Sequence, residues 1–231
     1  MNVKDMDTYF DGDIWHRVLH VKYKNGPITE ALVEDNPSKL TFFFCDGRVL
    51  SHNIAKKFDL NSAFISQFGI SVSEDAALFF IQSWGKGLFC FDMQTGDLRW
   101  HYKLKRAYNL VVLPDVVICR FMENCVMSLD ILTGEMRNRI PLGYSTKFVP
   151  INDNRYLIGP KHGKYYIIDE NLSNITTLRS EDLDPNNYET FLLLEANAVP
   201  EGIEIHGFER PYGAKGSEKD DRFSRTVSCI L

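Results

Sequence analysis

Short apolar runs alternate with polar turns along most of the chain. Runs such as 78–81, 110–113 and 116–119 are rich in valine, isoleucine, leucine and phenylalanine, and glycine, aspartate, asparagine or proline bounds them. This pattern is typical of β-strands joined by tight turns. Because no stretch keeps apolar residues at helical spacing over several turns, the pattern predicts an all-β protein.

One turn-and-strand phrase recurs. In its clearest copy, residues 85–102, a strand that begins with glycine ends at Asp92, and Thr95 and Gly96 follow before the next strand. The aspartate can accept hydrogen bonds from backbone N–H groups further along the turn, and the glycine can adopt a positive φ without a Cβ clash. The phrase therefore predicts a hairpin, and this structural role explains the repeated aspartate better than a catalytic one.

The phrase returns at a nearly constant period. Copies at 123–137 and 162–176 are anchored on Asp130 and Asp169, so the anchors lie 38 and 39 residues apart. A degenerate copy occupies residues 46–53. Units of about 40 residues with four short strands each indicate a β-propeller, in which each unit forms one blade.

The clearest copy also resembles a known family. Its residues, in order and spacing, are similar to the pyrroloquinoline-quinone-like β-propeller repeat; they are Gly87, Leu88, Asp92, Thr95, Gly96 and Trp100. The resemblance covers about 68–180 and implies that Trp100 packs between adjacent blades. The second copy departs from the pattern, with Asn138 in place of the tryptophan. The repeat does not imply the quinone, and without an adjacent-cysteine or metal signature no cofactor is expected.

The length of the chain suits a single domain, 1–231, of about five blades. The last blade is one strand short by the sequence pattern, and residues 13–22 resemble the final strand of the clearest repeat. Closing the last blade with the N-terminal strand would remove two exposed sheet edges. The blades are then expected at about 27–62, 64–104, 107–142, 145–180, and 186–231 combined with 13–22.

Composition narrows the classes of partner and compartment. The chain has a net charge of −5 and is 44% hydrophobic, which is ordinary for a globular protein. Nucleic-acid binding needs a basic face, so no nucleic-acid partner is expected. With no apolar run long enough to span a bilayer and no apolar signal core at the start, we expect no membrane segment and a cytoplasmic location.

The cysteines and histidines suggest no site. The five cysteines are odd in number and form no Cys-x-x-Cys motif, and most lie in apolar strands, so we expect reduced core thiols. His16 and His20 lie four residues apart, but a strand would hold them too far apart to share a metal ion. Neither a serine-hydrolase elbow nor a phosphate loop occurs. The sequence therefore predicts no metal site and no catalytic residues.

Acidic residues leave an enzymatic alternative open. Glu74, Asp75, Asp115 and Asp153 occupy corresponding turns between first and second strands and can gather at one face of a ring. Glycoside hydrolases use such carboxylates in pairs aimed at one bond. Turn chemistry explains them more simply, so the protein is expected not to be an enzyme.

Two regions fall outside the repeat and carry the candidate partner-binding residues. The polar stretch 209–224 between two expected strands is predicted to be a long loop, and long loops are often functional. The turn near residue 85 has an aromatic and a basic residue. The candidate residues are Trp84, Lys86, Arg210, Tyr212, Arg222 and Phe223. A solvated loop with no partner remains the alternative.

The function expected from these observations is a non-catalytic protein-interaction module. A sharper form is a bacterial immunity-type protein that neutralises a toxin by covering a basic domain, since acidic charge speeds such an encounter. The alternatives are a carbohydrate or small-ligand binding propeller and a glycoside hydrolase-like enzyme. Divergence between the repeats, such as Asn138 opposite Trp100, weighs against one sugar site per blade. Nothing in the sequence indicates the oligomeric state.

Overall fold

The computed structural model describes most of the chain, and the fold is built from β-strands. It describes residues 3–10, 15–23, 26–35, 38–54, 70–83, 85–103, 107–121, 125–141, 147–152, 155–161, 164–179, 188–211 and 221–228. Over these residues twenty strands form five sheets, which confirms the all-β prediction.

The strands follow chain order within every sheet. Sheet 1 contains β1 (Val3–Phe10), β2 (Trp15–Lys22), β3 (Ile28–Asp35), β4 (Ser38–Phe44) and β5 (Val49–His52). Sheet 2 contains β6 (Ile70–Val72), β7 (Leu78–Ser83), β8 (Gly87–Asp92) and β9 (Leu98–Tyr102). Sheet 3 contains β10 (Ala107–Val112), β11 (Val116–Phe121), β12 (Cys125–Asp130) and β13 (Met136–Pro141).

The remaining seven strands form two sheets. Sheet 4 contains β14 (Lys147–Asn152), β15 (Arg155–Lys161), β16 (Lys164–Ile168) and β17 (Asn174–Arg179). Sheet 5 contains β18 (Tyr188–Val199), β19 (Gly202–Pro211) and β20 (Asp221–Ser228). In each sheet, neighbours in sequence are neighbours in space, which keeps the connections short.

The middle strands of sheets 2 and 3 are buried on both faces. Every residue of β7 is buried, and so is every residue of β8 except its last, Asp92. The outer strand β13 is mostly exposed. This gradient explains why the middle strands appear in the sequence as continuous apolar runs, whereas the outer strands carry more charge.

The repeated turn forms the hairpin that its residues predict. Asp92 Oδ1 accepts hydrogen bonds of 2.9 Å from the N–H groups of Gln94 and Thr95. Gly96 follows at a φ of 68°, which an L side chain adopts only with strain. The second copy has the same geometry, with Gly134 at 72°.

The chain divides into two compact units. Unit 1 comprises Met1–Glu123 and Leu129–Met136. Its core contains a row of rings, in which Phe79 lies 5.1 Å from Phe42 and 5.0 Å from Phe91 between centroids. Such stacked rings bury large apolar areas and fix the approach of one sheet to another.

Unit 2 comprises Asn124–Ser128 and Arg137–Leu231. Its core brings together sheets 4 and 5, and the buried residues from sheet 5 include Ile203 and Ile205. No aromatic row comparable to that of unit 1 occurs in this cluster, whose buried residues are mainly aliphatic over the described part of the unit.

The N-terminal strand lies in sheet 1, so the prediction that residues 13–22 complete the last blade is wrong. In β2, Leu19 is opposite Met6 of β1 on one side and Val33 of β3 on the other. Both edges of β2 are therefore occupied. Leu19 and Val21 are buried in the unit 1 core. Pairing with the next strand along the chain closes a far smaller loop than pairing with the C-terminal strands, and so costs less entropy.

The cysteines divide into one exposed thiol and a buried group. Cys45 is exposed in the turn after β4, whereas Cys90, Cys119 and Cys125 are buried thiols outside any disulfide. Burial raises the pKa of the Cys90 thiol to about 12. The prediction of reduced core thiols is confirmed for these three, and Cys229 lies outside the described residues. Separately, within the described ranges no helix has the length and apolarity of a membrane span.

Candidate functional site

A cleft of about 630 Å³ opens in unit 1 where turns of sheets 2 and 3 meet. The β6–β7, β10–β11 and β12–β13 turns contribute to its lining, together with residues of β8 and β9. The residues that line it are Ser73, Glu74, Asp75, Ala77, Leu78, Asp92, Arg99, Pro114, Ile131 and Leu132. Its size is in the range of pockets that hold small ligands or a few side chains of a partner.

The β6–β7 turn gives the cleft an acidic side. Asp75 Oδ1 accepts hydrogen bonds from Ser73 Oγ at 2.7 Å and from the N–H of Ala77 at 3.0 Å. These bonds, that from Ser73 first, hold the pKa of the Asp75 carboxyl below its ordinary value. Glu74 is exposed, and among the described residues it has no hydrogen bond or ion pair. Within the described part of the chain, the turn therefore presents two negative charges without a basic partner.

A third carboxylate in the cleft is neutralised. Asp92 Oδ2 accepts a hydrogen bond of 2.5 Å from Arg99 Nη2. The N–H of Thr95 and then the Arg99 guanidinium hold the pKa of the Asp92 carboxyl below its ordinary value. The pKa of Arg99 is raised in return by Asp92. This pair adds polarity to the cleft without net charge.

The side formed by sheet 3 is apolar. Leu132 is 72% exposed at the tip of the β12–β13 turn. Its N–H donates to Asp130 Oδ1 at 2.9 Å, and the carbonyl of the preceding Ile131 accepts a 2.9 Å hydrogen bond from Trp100 Nε1. Pro114 supplies a second exposed apolar surface. Leu132 is thus exposed on a turn whose backbone is fixed by these two hydrogen bonds.

The chemistry of the cleft suits binding. Asp75 and Asp92 have lowered pKa values, so both are ionised at neutral pH and neither can serve as the proton donor that glycosidic cleavage requires. Over the residues described, no group of three or more histidine, cysteine or acidic side chains is placed to hold a metal ion. The lining combines carboxylates of the β6–β7 turn with apolar side chains from the turns of sheet 3.

The six predicted partner-binding residues stay a prediction, and of these Lys86 is not among the described residues that line the cleft. Trp84 and Tyr212 lie outside the described residues. Lys86 is in the turn between β7 and β8, where its carbonyl accepts a 2.6 Å hydrogen bond from His101 Nε2. Arg210 lies in β19, and Arg222 and Phe223 lie in β20.

The predicted loop at 209–224 is shorter than expected. β19 continues to Pro211 and β20 begins at Asp221, with Phe208 opposite Arg222 and Gly207 opposite Phe223. The polar residues here extend a hairpin, and a search for apolar runs does not detect a strand made of polar residues. Arg210, Arg222 and Phe223 are therefore strand residues.

The predicted carboxylate cluster is found in part. Glu74 and Asp75 line the cleft, Asp115 is exposed beside Pro114, and Asp153 lies outside the described residues. The sequence analysis missed Leu132, which occupies the place of Gln94 in the repeated turn. The signal in the sequence was an apolar residue at a turn position where the neighbouring copy has a polar one.

Comparison with known proteins supports the fold and leaves the family open. No protein-family model and no curated protein matches the chain. Among solved structures, BamB from Moraxella catarrhalis aligns with a TM-score of 0.55 at 13% identity, over 91% of this chain and 61% of BamB. The fold is a β-propeller.

A computationally designed protein is a second structural neighbour. The computationally designed Ika8 protein aligns with a TM-score of 0.54 at 11% identity, over 86% of this chain and 66% of Ika8. The chain thus spans less than two thirds of either neighbour. In all, 778 chains of known structure match, so the fold is widely used and does not by itself select a function. The number of blades stays a prediction.

Proposed function

We propose that this protein is a non-catalytic protein-interaction module that binds its partner at the cleft between the turns of sheets 2 and 3. The observation that carries the proposal is Leu132, a leucine 72% exposed at the tip of a turn fixed by Asp130 and Trp100. Propellers offer rigid surfaces on which turns and loops carry the recognition residues. An exposed apolar residue on a rigid turn, next to unpaired charge, is typical of an interaction surface.

A non-catalytic role fits the state of the carboxylates. Asp75 and Asp92 are both engaged in hydrogen bonds within their own turns, and their pKa values are lowered. General acids need the opposite environment, which raises the pKa of a carboxyl toward neutrality. The cleft therefore has binding groups without a proton donor among its aspartates.

In its finer form, the proposal is an immunity-type protein of the cytoplasm whose partner is a basic domain. The net charge of −5 and the uncompensated acidic side of the cleft favour encounter with a positively charged surface. A toxin domain that acts on nucleic acid or another polyanion has such a surface.

The test is complex formation with the product of the neighbouring gene. We expect a stable 1:1 complex in size-exclusion chromatography with light scattering, and rescue of growth when the two are co-expressed. Leu132→Ser should weaken the complex by about tenfold, because it removes an apolar contact. Val49→Ser, an exposed apolar residue that does not line the cleft, is the matched control. Absence of a complex with this product, and of any specific partner in cell lysate, would refute the proposal.

A second candidate is a small ligand, including a sugar. The volume of about 630 Å³ favours it, since pockets for small molecules span roughly 300–1,000 Å³. Glycan arrays and a thermal-shift screen of small metabolites would detect such a ligand. A hit that Leu132→Ser abolishes, without any protein partner, would replace the interaction module by this alternative.

A further inference from the structure

We propose that the cleft recognises a two-part element of a partner protein: a lysine or arginine side chain that meets Glu74 and Asp75, next to an apolar side chain that packs on Leu132 and Pro114. This inference rests on the proposed function and adds the chemistry of the bound segment.

The basic half of the element follows from which carboxylates of the cleft already have a basic partner. Asp92 is neutralised by Arg99 at 2.5 Å. Both hydrogen bonds that Asp75 accepts go to Oδ1, so among the described residues Oδ2 accepts none, and Glu74 is likewise without a partner there. A cation entering the cleft therefore meets two carboxylates that it does not have to detach from another base. An anionic ligand would meet only repulsion on this side.

The apolar half follows from the exposure of Leu132. Its N–H donates to Asp130 Oδ1 and the carbonyl of Ile131 accepts from Trp100, so the backbone of the turn keeps this residue at the surface. Pro114 is a second exposed apolar residue in the lining of the same cleft. An apolar side chain of the partner would remove this patch from water.

The acidic turn and the apolar residues line the same cleft, so one short segment of a partner can reach both. Lysine and arginine have long apolar stems, and such a stem can lie along Ala77 and Leu78 while the charged end reaches Glu74 and Asp75. Because Arg99 is held by Asp92, it does not compete for these carboxylates. A segment with a basic residue and an apolar residue close in sequence fits this arrangement.

The experiment uses the full chain and a library of fluorescein-labelled hexapeptides. Each peptide places one lysine or arginine and one leucine or phenylalanine at separations of one to four residues among glycine and alanine. A matched set carries glutamate in place of the basic residue, and another carries serine in place of the apolar one. Fluorescence anisotropy reports binding at low and at high salt.

We expect binding by basic–apolar peptides at a preferred separation, and at least about tenfold weaker binding by both matched sets. Glu74→Gln combined with Asp75→Asn should weaken binding by about fivefold and reduce its salt dependence. Asp75→Asn keeps an acceptor for Ser73 and Ala77, so the turn is preserved. Glu135→Gln and Val49→Ser are exposed controls whose residues do not line the cleft, and they should change binding by less than about twofold.

The outcomes separate this inference from the proposed function. Equal binding by the glutamate set, unchanged binding by the two cleft variants, or no binding by any peptide overturns the two-part element. If the complex with the neighbouring gene product also resists Leu132→Ser and Glu74→Gln, the protein binds a partner elsewhere and only the cleft assignment fails. If there is no partner complex at all, the proposed function fails as well.

Discussion

Trp100 and Asn138 occupy the same place in successive copies of the repeat, and each donates a hydrogen bond to a backbone carbonyl in the following turn. Trp100 Nε1 donates to the carbonyl of Ile131 at 2.9 Å, and Asn138 Nδ2 donates to that of Asn171 at 2.8 Å. The bonds are alike, but the surroundings are not. Trp100 is buried, whereas Asn138 is exposed. Both copies therefore keep the hydrogen bond to the following turn, whereas the packing around the donor side chain differs.

The turn beneath each donor differs accordingly. Below the tryptophan lies Gly134, where a Cβ atom would stand 2.6 Å from Trp100 Cδ2. The turn that Asn138 reaches is one residue shorter, since Asp169 N–H bonds to the carbonyl of Ser173 whereas Asp130 N–H bonds to that of Glu135. Its left-handed residue is Leu172, with φ 60° and a buried side chain. The turn that Asn138 reaches thus has leucine, not glycine, at the left-handed position, and its donor has no ring that would overlap with a Cβ atom there.

The degenerate copy that ends sheet 1 supports the same rule. His52 Nε2 donates to the carbonyl of Met93 at 2.8 Å, and its ring stacks on Phe79 with centroids 5.6 Å apart. A Cβ atom on Gly96 would stand 2.6 Å from His52 Nδ1. A planar ring from one sheet thus coincides with glycine in the next turn, so these glycines serve the neighbouring ring as well as their own backbone.

Replacing each donor by alanine should show the largest difference in stability between the two copies. Trp100→Ala should lower the free energy of unfolding by about 4 kcal/mol, because it leaves a cavity and an unpaired carbonyl. Asn138→Ala should lower it by about 1 kcal/mol, since an exposed hydrogen bond is all that it removes. Urea unfolding followed by circular dichroism measures both. Equal losses would show that the packing of the tryptophan contributes little.

Adding a methyl group to the glycine tests whether the ring sets the requirement. Gly134→Ala should lower the free energy of unfolding by about 3 kcal/mol, from backbone strain and overlap with Trp100. Gly47→Ala, with φ 84° and nothing near its Cβ, should show the strain alone, about 1 kcal/mol. In a Trp100→Ala background, Gly134→Ala should fall to that smaller value, because the overlap is gone. A cost unchanged by removal of the ring would contradict the rule.

The shorter turn offers the reverse substitution. Leu172→Gly relieves the left-handed strain but removes a buried side chain, and the second effect is larger. We expect the free energy of unfolding to fall by about 1 kcal/mol. Thermal unfolding measures the change, with Leu132→Gly as a control that removes an exposed leucine. A stabilised Leu172→Gly variant would mean that this turn prefers glycine even without a ring above it.

The smallest predicted effect concerns Asp92, whose carboxylate accepts hydrogen bonds from the turn that contains Gly96. The folded-state pKa of Asp92 is lowered, so its carboxylate stabilises the fold above the unfolded pKa, near 4, and this contribution is lost as pH falls through the folded value. Arg99→Gln should raise the pKa of Asp92 only part of the way, because the N–H of Thr95 is the larger cause. Carboxyl carbon-13 shifts during titration measure this. Arg48→Gln, which removes the partner of Asp46, should leave Asp92 unchanged.

Much of the architecture was predictable because the repeat encodes it locally. Asp92 and Asp130 organise their own turns, and Gly96 and Gly134 adopt the positive φ that their positions require. Trp100 approaches the next turn, as the family resemblance implied. Local hydrogen bonds and backbone preferences act within a few residues, so the sequence pattern records them directly.

The errors arose where the structure depends on partners distant in sequence. The likeness of residues 13–22 to the strand around Trp100 suggested a place in the last sheet, but buried Leu19 and Val21 instead join the core of sheet 1. Leu132 gave little signal, since its importance comes from the acidic turn across the cleft. Pairing partners and clefts are set by tertiary packing, which spacing along the chain does not encode.

Because Cys90 is buried, its alkylation can report the opening of the β8–β9 strand pair, which contains Trp100. Cys90 lies opposite Trp100 in the β8–β9 pair, and its pKa of about 12 leaves almost no thiolate at neutral pH. Iodoacetamide should therefore alkylate it only during transient opening of that strand pair, while exposed Cys45 reacts at once and serves as an internal clock. Where closing is faster than alkylation, the ratio of the two rates gives the equilibrium constant for opening of the β8–β9 pair at Cys90, without unfolding the protein.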